Sequence, residues 1–218
     1  VCGAFWWPWH ARVRRAVRGW LEGLLALLAV ELEVRGRPAT GAVFLVANHV
    51  SWLDIPVIGV QRPVYFLSKA EVRDWPLIGW LARAAGTLFI RRGSGESARK
   101  AEEIASHLRA GRSVLVFPEG TTTDGLHVRR FHAALFRAPV LAAVPVQPVA
   151  VRYLDRDGRP DPGAAFVGDD TFQRHLWQML RQDRIRVRVC WGRPLAPVDG
   201  PEALALHARD QITEWLAP

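Results

Sequence analysis

The sequence predicts an α/β fold, a single domain with a largely parallel sheet flanked by helices, and two observations carry that expectation. From Gly41 onward, apolar runs of strand length alternate with longer segments whose apolar residues recur at helical spacing. No repeat, low-complexity tract or long linker divides the 218 residues, half of which are hydrophobic and so sufficient for one buried core.

Residues 1–35 read as a helical segment of their own, ahead of an α/β domain over 36–218. From Phe5 to about Val34, Trp6, Trp7, Trp9 and Trp20 lie among basic residues (His10, Arg12, Arg14, Arg15, Arg18), followed by the apolar stretch Gly23–Val30. Indole rings favour a layer that is wet on one side and apolar on the other. The uncharged stretch is far shorter than the roughly 20 residues a spanning helix needs, and Glu22, Glu31 and Glu33 bracket it. An amphipathic helix lying in a membrane interface, cations toward anionic headgroups, is the expectation. An ordinary core helix, or the basic and apolar regions of a signal peptide, would share parts of this pattern. The tryptophans exceed what a core helix needs, and no small-residue cleavage site follows.

Strands are predicted at Ala42–Ala47, Val64–Ser68, Thr87–Arg91, Ser113–Phe117, Val144–Tyr153 and Arg184–Trp191. Helices are predicted at Ile55–Val60, Pro76–Ala85, Ser97–Ala110, Phe131–Phe136, Thr171–Arg181 and Pro201–Leu216. In Arg184–Trp191, Ile185, Val187 and Val189 alternate with Arg184, Arg186 and Arg188, one dry face and one charged face, as expected of a sheet edge.

Residues just past the carboxyl end of a parallel strand line the crevice where ligands bind. The run NHVSWLD, Asn48 to Asp54, follows Ala42–Ala47 directly. A Ser51 cap would turn the chain into the next helix and bring the Asp54 carboxylate back to one nitrogen of His49, leaving the other free. Neutral histidine backed by a carboxylate is a general base suited to an alcohol, whose proton must leave as it attacks. The spacing alone is weak: with seven histidines present, chance supplies an aspartate at this interval about one time in three.

Two further strand ends strengthen it. FPEGTT, Phe117 to Thr122, follows an apolar strand; Gly120 frees the backbone to present amide donors, Thr121 and Thr122 carry hydroxyls, and Glu119 either bonds substrate hydroxyls or orders the loop. GTLFIRR, Gly86 to Arg92, ends in two arginines able to clamp an anion, and Lys69 adds a cation at the end of Val64–Ser68. Taken singly, these are a β-turn and a solvated strand edge. Together they converge on one basic, hydroxyl-rich crevice.

These segments resemble, in order, the motifs of the glycerolipid acyltransferase family that includes 1-acyl-sn-glycerol-3-phosphate acyltransferases. NHVSWLD matches the first motif, GTLFIRR the second, FPEGTT the third, and VPVQPV, Val144 to Val149, looks like the fourth. The resemblance covers Asn48 to Val149, nearly half the chain. It implies direct acyl transfer without an acyl-enzyme: His49 as base, Asp54 as its partner, and Arg92 with Glu119–Thr121 at the glycerophosphate end. It further implies no resident cofactor, acyl-CoA or acyl-acyl carrier protein as donor co-substrate, a lysolipid as acceptor, first of all 1-acyl-sn-glycerol-3-phosphate, and an N-terminal helical anchor. That corresponds to a peripheral or monotopic protein on the cytoplasmic face of a membrane. Many members acting on lysophosphatidate carry Arg-Ser after FPEGT. Here Thr122, Thr123, Asp124 and Gly125 stand instead, with Arg129 and Arg130 as replacement cations. FPEGTTTDG leading into Phe131–Phe136 also looks like the branch that acylates lyso-ornithine lipids and other lysolipids.

Other classes fit less well. A net charge of +8 points to anionic partners of any kind. The basic cluster beside tryptophans and an apolar run favours anionic lipid over nucleic acid, for which no motif appears. A serine lipid hydrolase would need a G-x-S-x-G elbow, and the chain has none. Cys2 and Cys190 make no disulfide framework, and His127 and His132 lack a third metal ligand.

Overall fold

The computed structural model describes residues 7–69, 88–90, 97–168 and 170–217. Its seven strands are β1 (Val30–Arg35), β2 (Phe44–Ala47), β3 (Tyr65–Lys69), β4 (Leu88–Ile90), β5 (Val114–Val116), β6 (Val146–Leu154) and β7 (Ile185–Trp191), in the spatial order β1-β7-β6-β2-β5-β3-β4. The helices are α1 (Trp7–Leu27), α2 (Asp54–Gly59), α3 (Ser97–Arg109), α4 (Arg137–Ala142), α5 (Phe172–Leu180) and α6 (Gly200–Leu216).

β2 and β5 are buried along their whole length and read as unbroken apolar runs, Phe-Leu-Val-Ala and Val-Leu-Val, because helices cover both faces of a parallel centre. On one face, Leu25 of α1 and Leu28 just past it, Val57 and Ile58 of α2, and Met179 of α5 pack on Leu45, Val149 and Val187. On the other, Ala101, Ile104 and Leu108 of α3, Ala138 of α4, and Leu204, Ala208 and Ile212 of α6 pack on Phe44, Val114 and Val146. Each fully buried Leu or Ile in these layers contributes about 1.5–3 kcal/mol.

All neighbouring strands are parallel except β6 and β7. β1 and β7 therefore run against the other five. Their starting ends lie where β6 finishes: Leu154 at the end of β6 faces Arg186 near the start of β7, whereas Ala47 at the end of β2 pairs with Val149, which faces Trp191 at the end of β7.

The opening helix, expected to reach about Val34, ends at Leu27, and Val30–Arg35 forms β1. The period is two: Val30, Leu32 and Val34 alternate with Glu31, Glu33 and Arg35, and the glutamates face the arginines of β7. Glu31 bonds Arg184 (2.7 Å) and Arg186 (3.1 Å), and Glu33 bonds Arg188 (2.8 Å). β7 consequently lies one strand in from the edge, and its charged face is a cross-strand ion-pair ladder.

The helix expected at Phe131–Phe136 is a 3-10 turn, Ala133–Phe136, running on into α4. Pro139 sits in the first turn of α4, where its missing N–H costs nothing. The remaining predicted elements are present with ends shifted by a residue or two, apart from the helix at Pro76–Ala85 and the flanks of β4, which lie outside the described residues.

Candidate active site

β2 ends at Ala47, and the side chain of Asn48 takes over its pairing with β6. Its Nδ2 donates to the Val151 carbonyl (2.9 Å) and its Oδ1 accepts from the Val151 amide (2.8 Å). The backbone is thereby free to leave the sheet at His49 while remaining fixed to it.

His49 Nδ1 lies 2.8 Å from Asp54 Oδ2. The Asp54 side chain is wholly buried, whereas 19% of the His49 side chain is exposed. Asp54 Oδ2 also accepts from the amides of Val50 (2.8 Å) and Ser51 (3.0 Å), and Oδ1 accepts from the Tyr153 hydroxyl (2.7 Å). A carboxylate surrounded by donors accepts from Nδ1–H, which fixes the tautomer and leaves Nε2 as the basic nitrogen. Burial, with the neighbouring Asp54 charge, pushes the Tyr153 hydroxyl well above its ordinary range and keeps it a donor.

The turn is made differently from expectation. α2 has no side-chain cap, and Ser51 Oγ meets the Leu53 amide at 3.4 Å and the Tyr153 hydroxyl. Asp54 itself closes the turn by binding the two amides that precede it. One carboxylate thus both shapes the loop and orients the imidazole.

The FPEGTT loop holds His49 from the other side. The Phe117 ring stacks on the imidazole, centroids 3.9 Å apart and 13° from parallel. Glu119 is buried and uses both oxygens on backbone: Oε1 accepts from His49 N (2.9 Å) and Oε2 from Arg129 N (2.8 Å). Burial raises its pKa, opposed by those two amides. Of the two roles foreseen for Glu119, the geometry matches loop ordering. Thr123 N donates to the His49 carbonyl (2.8 Å), so both peptide groups of His49 are tied to this loop. Gly120 has φ +74°, the left-handed region its lack of a Cβ allows.

A third segment borders the site. Phe166 N donates to the Val50 carbonyl (2.9 Å), and the Thr122 hydroxyl donates to the Phe166 carbonyl. Buried His175 of α5 accepts from the Trp52 indole at Nδ1 (3.0 Å) and donates from Nε2 to the Ala165 carbonyl (3.1 Å). Burial lowers its pKa, which suits the neutral ring this pair of bonds requires.

Among the predicted site residues, then, His49, Asp54, Glu119, Gly120, Thr121 and Thr122 come together at the carboxyl ends of β2 and β5. Thr121 is exposed, and the Thr122 hydroxyl is engaged by Phe166. Lys69 closes β3, parallel to β5. Arg92 lies outside the described residues. Sequence reasoning missed Tyr153, Asn48 and His175. Tyr153 meets Asp54 across 99 residues and His175 meets Trp52 across 123, so neither contact leaves a local spacing. Among the described residues, no three His, Cys, Asp or Glu side chains are placed to hold a metal.

A partly exposed histidine with a buried carboxylate partner, beside the FPEGTT loop at strand ends, has the geometry to take a proton from a hydroxyl. The model of the family described as Acyltransferase matches residues 31–152, more than half of the chain, and this protein belongs to that family. It is 51% identical over 204 residues to a lyso-ornithine lipid O-acyltransferase of Pseudomonas aeruginosa, spanning 94% of this chain and 78% of that one. It is 38% identical over 181 residues to a 1-acyl-sn-glycerol-3-phosphate acyltransferase of Neisseria meningitidis, spanning 80% of this chain and 69% of that one. The crystal structure of the lysophosphatidate acyltransferase PlsC from Thermotoga maritima shares the fold, with a TM-score of 0.72 at 21% identity over 93% of this chain and 78% of that one.

Proposed function

We propose that this acyltransferase moves a fatty acyl group from a thioester to the free hydroxyl of lyso-ornithine lipid. The observation that carries this acceptor is the 51% identity, over nearly the whole chain, to the Pseudomonas aeruginosa enzyme so named, against 38% to the Neisseria meningitidis enzyme named for the glycerophosphate acceptor. The order of preference drawn from the motifs alone is thereby reversed. The Thr122–Gly125 run, in place of Arg-Ser, agrees with an acceptor other than lysophosphatidate. 1-Acyl-sn-glycerol-3-phosphate is the second reading, supported by that Neisseria relative.

In the reaction, the acceptor hydroxyl donates a hydrogen bond to His49 Nε2. As its oxygen attacks the thioester carbonyl, the proton passes to Nε2, and Asp54, still ionised, stabilises the imidazolium through Nδ1–H. Collapse of the tetrahedral intermediate expels the thiolate, which takes the proton back from Nε2. The new ester and a free thiol result, no acyl-enzyme forms, and this route calls for no resident metal or cofactor. Glu119 holds the loop; Arg92, Lys69 and the Gly120–Thr122 segment are assigned to the polar end of the substrates. The donor is acyl-CoA or acyl-acyl carrier protein. The chain works on a membrane surface, on the cytoplasmic face where such donors occur, with residues 1–35 contributing the contact; no nucleic acid is involved.

A panel of lysolipids with a labelled acyl donor tests this. Lyso-ornithine lipid is expected to be acylated at least about tenfold more efficiently than lysophosphatidate. Equal or reversed efficiencies would move the assignment to the second reading.

A further inference from the structure

α5 borders the site through His175, Trp52 and Phe166, and its opposite face is exposed, with Gln178 donating to the Gly163 carbonyl (3.2 Å). His175 and Met179 are buried, while Arg174, Trp177, Gln178 and Arg181 line an open groove of about 590 Å³. Spacings of three and four put Arg174, Trp177 and Arg181 on one stripe. Trp177 is 64% exposed, unusual for the largest apolar side chain. Neither arginine has a carboxylate partner among the described residues, and no acidic residue occurs from Thr171 to Gln182.

This stripe is not isolated. Because β1 and β7 start where β6 ends, the C-terminal ends of α1 and α5 arrive there together, and Ile185 N donates to the Ala29 carbonyl between them (3.2 Å). Leu27 at the end of α1 (72% exposed) and Leu180 at the end of α5 (39%) stand there, and Val167 (39%) follows Phe166 on the loop beside His49. Four large apolar side chains and two arginines without a carboxylate partner among the described residues therefore stand on α1, on α5 and on the segment between β6 and α5. Exposed indole and leucines flanked by arginines match the chemistry of an anionic bilayer interface, with rings at headgroup depth and guanidinium groups on phosphate.

We propose that the Arg174–Trp177–Arg181 face of α5, with Leu27, Val167 and Leu180, is a docking surface for an anionic lipid bilayer that sets the His49 opening against the membrane. The contact adds to whatever residues 1–35 contribute, and it rests on the reading of the acceptor as a membrane lipid. It would hold the site where a lysolipid hydroxyl can reach Nε2 without leaving the interface.

The test compares wild type with Arg174→Glu/Trp177→Ala/Arg181→Glu in the full chain. All three positions are exposed, so circular dichroism and the thermal midpoint should be retained. Co-sedimentation uses vesicles of phosphatidylcholine mixed with phosphatidylglycerol, and of phosphatidylcholine alone. Affinity for the mixed vesicles should fall about tenfold or more, and acyl transfer should fall on vesicles yet persist in detergent micelles. Unchanged vesicle affinity would overturn the proposal. So would selective loss of transfer from acyl carrier protein with transfer from acyl-CoA intact, which would assign the face to an acidic carrier. Absence of any transfer by wild type would count against the enzymatic reading, while vesicle binding would still report on this surface.

Discussion

Asp54 concentrates the chemistry of the site in one side chain. Its Oδ2 serves His49 and two backbone amides, and its Oδ1 is served by Tyr153 alone among the described residues. Replacing Tyr153 by Phe keeps the ring in its buried place but strips Oδ1 of that donor. An unpaired acceptor of this kind costs about 1–3 kcal/mol, and the carboxylate is freed to rotate away from Nδ1. We expect Tyr153→Phe to lower kcat about tenfold with KM little changed, because only the orientation of the base is affected. Steady-state kinetics at saturating donor checks this, and an unaltered kcat would show that the tyrosine does not position the dyad. At this scale the sequence pointed to the His49–Asp54 contact, which the structure shows at 2.8 Å, through the motifs taken together rather than through the interval alone. The tyrosine was illegible, since a contact across 99 residues is made by the sheet and leaves no local spacing.

At the scale of elements, α5 is held to the site by a neutral histidine. His175 must offer Nδ1 to the Trp52 indole, which a protonated ring cannot do. Its pKa is lowered in the folded chain, chiefly by burial, so the unfolded chain binds the proton more readily. The sign follows: the stabilisation is fully present above the ordinary histidine range and is lost as pH falls through that range toward the folded value. His175→Gln should therefore destabilise most near pH 7.5 or above, and its deficit in thermal midpoint should shrink on acidification to about pH 5.5. A deficit independent of pH would contradict this. Element type was largely readable because strands buried on both faces announce themselves as unbroken apolar runs. β1 was missed for the opposite reason. Its glutamates read as brackets around an apolar helix until the arginines of β7 are seen beside them.

For the whole molecule, the reversal of β1 and β7 against the remaining strands matters most. It brings the ends of α1 and α5 to the side where β6 ends, one residue past the Tyr153 that bonds Asp54, and exposed apolar side chains stand there. No helix among the described residues is long and apolar enough to cross a membrane. The proposed surface contact through α5 would be a means of meeting a lipid acceptor. Sheet topology of this kind is beyond local pattern, whereas the parallel centre and the order of the motifs were not. The central claim is that His49 removes the acceptor proton in a direct transfer. It is tested most directly by incubating wild type and His49→Ala with labelled acyl thioester, with and without lyso-ornithine lipid. The account predicts no covalently labelled protein, acylated lipid from wild type only when the acceptor is present, and a loss of at least about a thousandfold in His49→Ala with its thermal midpoint retained. Labelled protein without acceptor, or substantial transfer by His49→Ala, would contradict it.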